Sequence, residues 1–212
     1  MPDKPRSLSI DPQAPDDQLL SITAGKLEKG GIVVFPTSSF YGLGASAFKP
    51  DTLRRVYTAK RRPPGKPLLV LIASMEQLSA LAKEVPKTAE QLIRAFWPGQ
   101  VTLVFDAHPE LPALLTAHSG KIGVRLAAHP VAVALLQKFG GPISGTSANL
   151  SGAAACTAVS ELDERLKNEV DVILDAGTLG GGFPSTVVDV TVEPVKVIRE
   201  GIITAEQIRA TS

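Results

Sequence analysis

The chain has one cysteine, Cys156, among 212 residues. That excludes an internal disulfide and speaks against a cysteine-based metal site, and it fits a reducing, cytoplasmic setting. Histidine is almost as scarce: His108, His118 and His129 form no H-x-x-x-H or H-x-x-E-H pair, which speaks against a transition metal held by protein side chains. No G-x-S-x-G elbow occurs, and Cys156 stands among alanines in "GAAACTA", so the reading is against covalent catalysis. G-x-x-x-x-G-K-[ST] and G-x-G-x-x-G are absent, which removes the P-loop and the dinucleotide fingerprint. No apolar run approaches the ~18 residues of a membrane span, and "MPDKPRSLSIDPQAPDD" has no apolar core of a secretory signal. Net charge is only +1, so any affinity for anions must be local.

What is present is a soluble globular composition, 44% hydrophobic and 20% charged. The first 15 residues carry four prolines and read as an extended arm, with a short strand at residues 8–10. Residues 16–29 predict a helix with Leu20, Ala24 and Leu27 on one face, stopped by Gly30 and Gly31. "IVVF", "LLVLI", "VTLVF", "KIGVRL", "VDVIL", "STVVDVT" and "VKVIR" predict strands. Helices are expected over 51–60, from Pro86 to Phe96, over 129–139, and from a cap at Thr157 or Ser160 to about Glu169. Ser74 with Gln77 and Thr204 with Gln207 match capping boxes. Early alternation of strands and helices, with strands clustered late, predicts an α/β fold. The expected architecture is a twisted open sheet of mixed direction, also describable as α+β. One domain over 1–212 is expected, with the arm at 1–15.

Three features carry chemistry. Between Asp51 and Ile72 lie six cations, Arg54, Arg55, Lys60, Arg61, Arg62 and Lys66, and one acid. A solvated helix end satisfies this composition, since cations favour a helix C-terminus, and so does a proline-stiffened anion site. Next, "PTSSFYG" and "SGTSANLSG" place hydroxyls after apolar strands, where open α/β sheets bind ligands. Ordinary turn chemistry also uses these residues. In the first turn, Gly42 and Gly44 are expected to let the backbone approach a ligand. Finally, Arg125 and Arg199 each end an apolar strand, where an arginine is costly unless paired. Together they favour an anionic ligand.

Six blocks in order resemble the YrdC/TsaC family of threonylcarbamoyl-AMP synthases: "GGIVVFPTSSFYGLGASA", "VYTAKRRPPGKPLLVLI", "FWPGQVTLVF", "GVRLAAHPVA", "SGTSANLSG" and "PSTVVDVT…VIREG". The resemblance implies a YrdC-like sheet around a basic cavity. It implies a nucleotidyltransferase that joins L-threonine, bicarbonate and ATP, the last with Mg2+, into L-threonylcarbamoyladenylate and releases pyrophosphate. The product would serve t6A formation at A37 of tRNAs reading ANN codons. By motif position, Lys60 and Arg62 would be catalytic and contact ATP phosphates. Thr37, Arg125 and Ser185 would bind threonine. Lys66, Lys121, Thr146, Ser147, Asn149 and Arg199 would line the nucleotide side. Expected partners also include tRNA or double-stranded RNA and a transient link to the t6A transferase complex; no membrane is involved. Ser38, Ser39, Leu71 and Thr146 depart from the usual residues, and the extra C-terminal domain of longer members is expected to be absent. Two alternatives are a non-catalytic RNA-binding protein and a paralogue using another acceptor amine.

Overall fold

A computed structural model describes residues 6–212; the first five residues of the expected arm lie outside the described residues. The described residues form a ten-stranded sheet in the order β1-β8-β2-β3-β7-β4-β6-β5-β9-β10. Its left half comprises β1 (Arg6–Ser9), β8 (Val172–Asp175), β2 (Val33–Pro36), β3 (Tyr41–Ser46) and β7 (Ile143–Ser147). The right half comprises β4 (Leu69–Ile72), β6 (Lys121–Leu126), β5 (Val101–Asp106), β9 (Thr186–Asp189) and β10 (Lys196–Arg199). Pairing is mixed: β4–β6 and β5–β9 run parallel, while β3–β7 and β5–β6 run antiparallel. No helix among the described residues is long and apolar enough to cross a membrane.

Strand alternation divides the apolar residues between two faces. Val34, Leu43, Val70, Leu103, Val124 and Val188 point to one side. There they pack with α2 (Pro50–Ala59), α3 (Lys87–Phe96) and α6 (Ala205–Thr211). Val33, Phe35, Leu71, Ile143 and Val172 point to the other, under α1 (Asp17–Glu28) and α4 (Pro130–Phe139). The sequence foreshadows the helix faces: Leu20, Ala24 and Leu27 of α1 are all buried. The pair α1 and α4 contacts β2, β3 and β4. On the same face, β6, β5 and β9 carry Lys121, Gly123, Arg125, Thr102, Val104, Val187 and Asp189, and these border a cavity.

Three expectations are corrected. The hydroxyl turn is shorter than the sequence implies: it closes at Thr37–Phe40, with Thr37 N–H donating to Phe40 O at 3.1 Å. The glycine-rich "YGLGAS" is then a wholly buried strand, β3. Gly44 serves packing there, not a ligand: a Cβ would stand 2.6 Å from Ile143 Cγ2 and 2.7 Å from both Phe35 Cε1 and Ser144 O. The helix expected up to Glu169 is broken, because Leu162 and Asp163 are extended and Leu162 is buried. A 3-10 turn (Val159–Glu161) precedes a single helical turn, α5 (Glu164–Lys167), capped by Asp163 through Arg165 N–H at 2.8 Å. Ser74 makes no side-chain cap; Gln77 Oε1 instead accepts from Ala73 N–H at 2.8 Å, ahead of a 3-10 turn. The capping box of Thr204 and Gln207 forms as expected.

Candidate functional site

The cavity spans the middle of the sheet, from β3 and β7 of the left half to β4, β6, β5 and β9 of the right, and has a volume of about 640 Å3, in the range of small-molecule sites. Glycine clears its floor. Gly145 and Gly123 flank Leu69 in register across β7, β4 and β6, and Gly42 of β3 also lies against the cavity. Side chains at these points would fill the space: a Cβ on Gly145 would come within 3.0 Å of Leu69 Cδ1.

Of the residues singled out in the sequence, Thr37, Arg62, Lys121, Arg125, Thr146, Ser147, Ser185 and Arg199 border this one cavity. Lys60, Lys66 and Asn149 do not, and the reason lies at the end of α2. That helix closes with a Schellman pattern: Arg62 N–H donates to Tyr57 O at 2.8 Å and Arg61 N–H to Thr58 O at 3.0 Å. Arg61 takes the left-handed position, φ 49, usually left to glycine. The chain reversal directs Lys60 inward and Arg62 to the cavity. Lys60 is 1% exposed. Its ammonium donates to Ser147 O, to Asn149 O at 2.6 Å and to Asn149 Oδ1 at 3.2 Å. Burial, then Arg62, lower its pKa to about 7. Lys60 therefore holds the β7 turn from behind, donating to its carbonyl oxygens. Asn149 completes that turn, accepting from Ser147 Oγ and donating to Ala153 O, each at 2.5 Å.

Arg62 braces the proline loop by donating to Lys66 O at 3.0 Å and Pro67 O at 2.7 Å. Lys66 thus contributes its carbonyl, while the residue itself is exposed outside the cavity. Thr37 Oγ1 donates to Phe40 O at 2.6 Å and so fixes its turn.

Arg125 has a different environment. Strand alternation aims it at the cavity, beside Leu71 in register. Burial, then Arg199, lower its pKa to about 10. Among the described residues no carboxylate lies within ion-pair distance of it or of Arg199. Arg199 donates to Ser185 O at 2.7 Å and to Ser185 Oγ at 3.3 Å, and Ser185 Oγ meets Thr102 Oγ1 at 3.1 Å. The two motif ends "PST" and "REG" are knitted by backbone: Ile202 N–H donates to Pro184 O at 3.2 Å and Gly201 N–H to Thr186 Oγ1 at 3.0 Å.

Lys121 is already neutralised. It pairs with Asp189 at 2.8 Å and donates to Thr191 Oγ1 at 2.6 Å. Burial pushes the Asp189 carboxyl up, but the Lys121 and Thr191 hydrogen bonds outweigh it and hold the carboxyl below its usual value. Asp189, Thr102 and Phe183 also border the cavity and were not singled out in the sequence. Alternation in "VVDVT" could have placed Asp189 with Val187. Thr102 sits in a strand apolar on both sides, which hides its role.

The arrangement offers cations and hydroxyls, and no activated nucleophile. Cys156 is buried, with its thiol pushed up by burial and by Glu161, and none of the cavity residues is a histidine. Among the described residues no group of three His, Cys, Asp or Glu could hold a metal ion. Such a site can join ligands to each other by placing them and stabilising negative charge.

Comparison with known proteins agrees with this geometry. The family model Sua5_yciO_yrdC, described as telomere recombination, matches residues 25–201. The chain is 39% identical over 189 residues to the threonylcarbamoyl-AMP synthase of Pyrococcus abyssi, covering 89% of this chain and 56% of that protein. It is 37% identical to the Bacillus subtilis protein of the same name, covering 92% and 57%. It therefore spans little more than half the length of these relatives. The crystal structure of P. abyssi Sua5 complexed with L-threonine superposes with a TM-score of 0.92 at 36% identity, covering 97% of this chain and 60% of that one. With the motifs on a shared sheet and the match running from α1 past β10, the chain belongs to the Sua5/YciO/YrdC family.

Proposed function

We propose that the chain carries the ATP-dependent synthesis of L-threonylcarbamoyladenylate from L-threonine and bicarbonate, with release of pyrophosphate. The observation that carries this reading is the pair Arg125 and Arg199, facing one cavity with no carboxylate among the described residues to neutralise them. Arg125 is half-buried and Arg199 is exposed at the cavity rim; a cation partly withdrawn from water without a partner carries a cost, and an anionic substrate removes it. The names of the relatives and the threonine complex of P. abyssi Sua5 supply the substrate class.

In this reading Arg125 takes the threonine carboxylate through a guanidinium fork, with Thr37 and Ser185 beside it. The threonine amine adds to bicarbonate, water leaves, and a carbamate results. A carbamate oxygen attacks the α-phosphorus of ATP, and the bond to the β-phosphate oxygen breaks to release pyrophosphate. Arg62, Arg199, Thr146 and Ser147 face the nucleotide. Lys60 and Asn149 act through Ser147 by fixing its turn, and Lys66 by shaping the loop that carries Arg62. Lys121, paired with Asp189, adds little net charge. Mg2+ would accompany ATP rather than a side-chain cluster of this chain, and would supply neutralising charge to the pyrophosphate that leaves. The product is a mixed anhydride suited to carbamoyl transfer, here to A37 of tRNAs reading ANN codons through the t6A transferase complex.

A non-catalytic RNA-binding role is less well supported: Arg54 pairs with Asp51, and Arg55 pairs with Asp171 at 3.2 Å. The test is pyrophosphate release in ATP with threonine and bicarbonate varied separately. Release that depends on both is expected; release independent of either refutes the proposal.

A further inference from the structure

Phe183 is the most exposed large apolar side chain among the described residues, at 67%, and it stands at the cavity rim. Ile198 and Ile202, 55% and 39% exposed, border the same cavity. An apolar group of this kind on a surface marks a place that something covers. The loop under Phe183 is tied down: Gly181 N–H donates to Ser39 O at 3.0 Å, and Ser39 Oγ donates to Phe183 O at 3.3 Å. Pro184 follows, held through its carbonyl by Ile202 N–H. The ring is therefore presented by a fixed backbone. Arg199, next to Ile198 in the chain, also borders the cavity.

We propose that Phe183 is the stacking platform for the purine ring of the nucleotide, with Ile198 and Ile202 completing the apolar side of that subsite. The inference rests on the nucleotide-binding part of the proposed function. A flat aromatic face at the mouth suits a base, which buries its ring faces while its polar edge stays hydrated. Threonine, small and charged, suits the half-buried Arg125 instead. The adjoining Arg199 gives the rim the charge that a nucleotide requires, which an apolar protein segment does not.

The test is equilibrium binding of ATP and of inorganic tripolyphosphate to the intact chain and to three variants. Phe183→Ala is expected to weaken ATP about ten-fold and to leave tripolyphosphate unchanged. Phe183→Leu should weaken ATP nearly as much, because it keeps apolar cover but has no π face. Phe183→Trp should retain ATP binding, and its added fluorescence should be quenched by ATP and not by tripolyphosphate. ATP binding unchanged in Phe183→Ala overturns the inference and assigns the rim to a protein partner; so does full retention by Phe183→Leu, or no ATP binding by the unaltered chain. ATP binding that depends on Phe183 without pyrophosphate release sinks the proposed reaction and leaves the base subsite standing.

Discussion

Replacing Gly201 with alanine puts a methyl group where the backbone leaves no room. A Cβ there would stand 2.1 Å from Pro184 O and 2.7 Å from both Ser185 C and Thr186 N. Carbon–oxygen contacts settle at about 3.3 Å, so the two segments must part by roughly 1 Å. Two bonds that join them, Ile202 N–H to Pro184 O at 3.2 Å and Gly201 N–H to Thr186 Oγ1 at 3.0 Å, cannot survive that shift. Each contributes about 1 kcal/mol, and residual overpacking adds about 1 kcal/mol or more. The expected loss is thus about 3 kcal/mol, or about 1.5 M in urea midpoint at a slope near 2 kcal/mol/M. Because Arg199 and Ser185 bond to each other across this seam, threonine-dependent pyrophosphate release should also fall by about 100-fold where the variant is still folded. Gly180, with nothing within 4 Å of its Cβ position, is the control. If Gly201→Ala unfolds at the same urea concentration as Gly180→Ala, the packing argument is refuted.

Three further outcomes follow from the geometry. Arg61→Gly should stabilise the chain by about 1 kcal/mol in urea unfolding, because glycine adopts the left-handed Schellman position without strain. Arg125→Met should raise stability by about 1–2 kcal/mol by removing an unpaired, half-buried cation, while abolishing the threonine dependence of pyrophosphate release; an unstable or fully active variant contradicts this. Lys60 is folded with a pKa near 7 against an ordinary 10.5, so between those values the unfolded chain holds a proton that the folded one has lost. Its contribution to stability therefore rises with pH across that window, and Lys60→Met should flatten the rise measured by urea midpoints at about pH 7 and about pH 9.

The sequence by itself determined the elements whose information is local. β-branched runs marked seven strands, the spacing of Leu20, Ala24 and Leu27 marked α1, and "TAEQ" marked the final cap. Ordered motifs named the family and eight of the residues that border the cavity, since motif position carries over wherever the backbone does. Tertiary structure decided the rest. "YGLGAS" became a buried strand because Phe35 and Ile143 close over Gly44, a contact invisible to local propensity. Leu162 broke a helix by being drawn into the core. Lys60, Arg61 and Arg62 are chemically alike in sequence, yet one left-handed residue sends Lys60 to carbonyl oxygens and Arg62 to the cavity. Asp189 withdrew Lys121 from the free cations, while Arg125 and Arg199 have no carboxylate partner among the described residues. Which charge meets a partner depends on which strands lie side by side, and strand order is settled only when the whole sheet assembles.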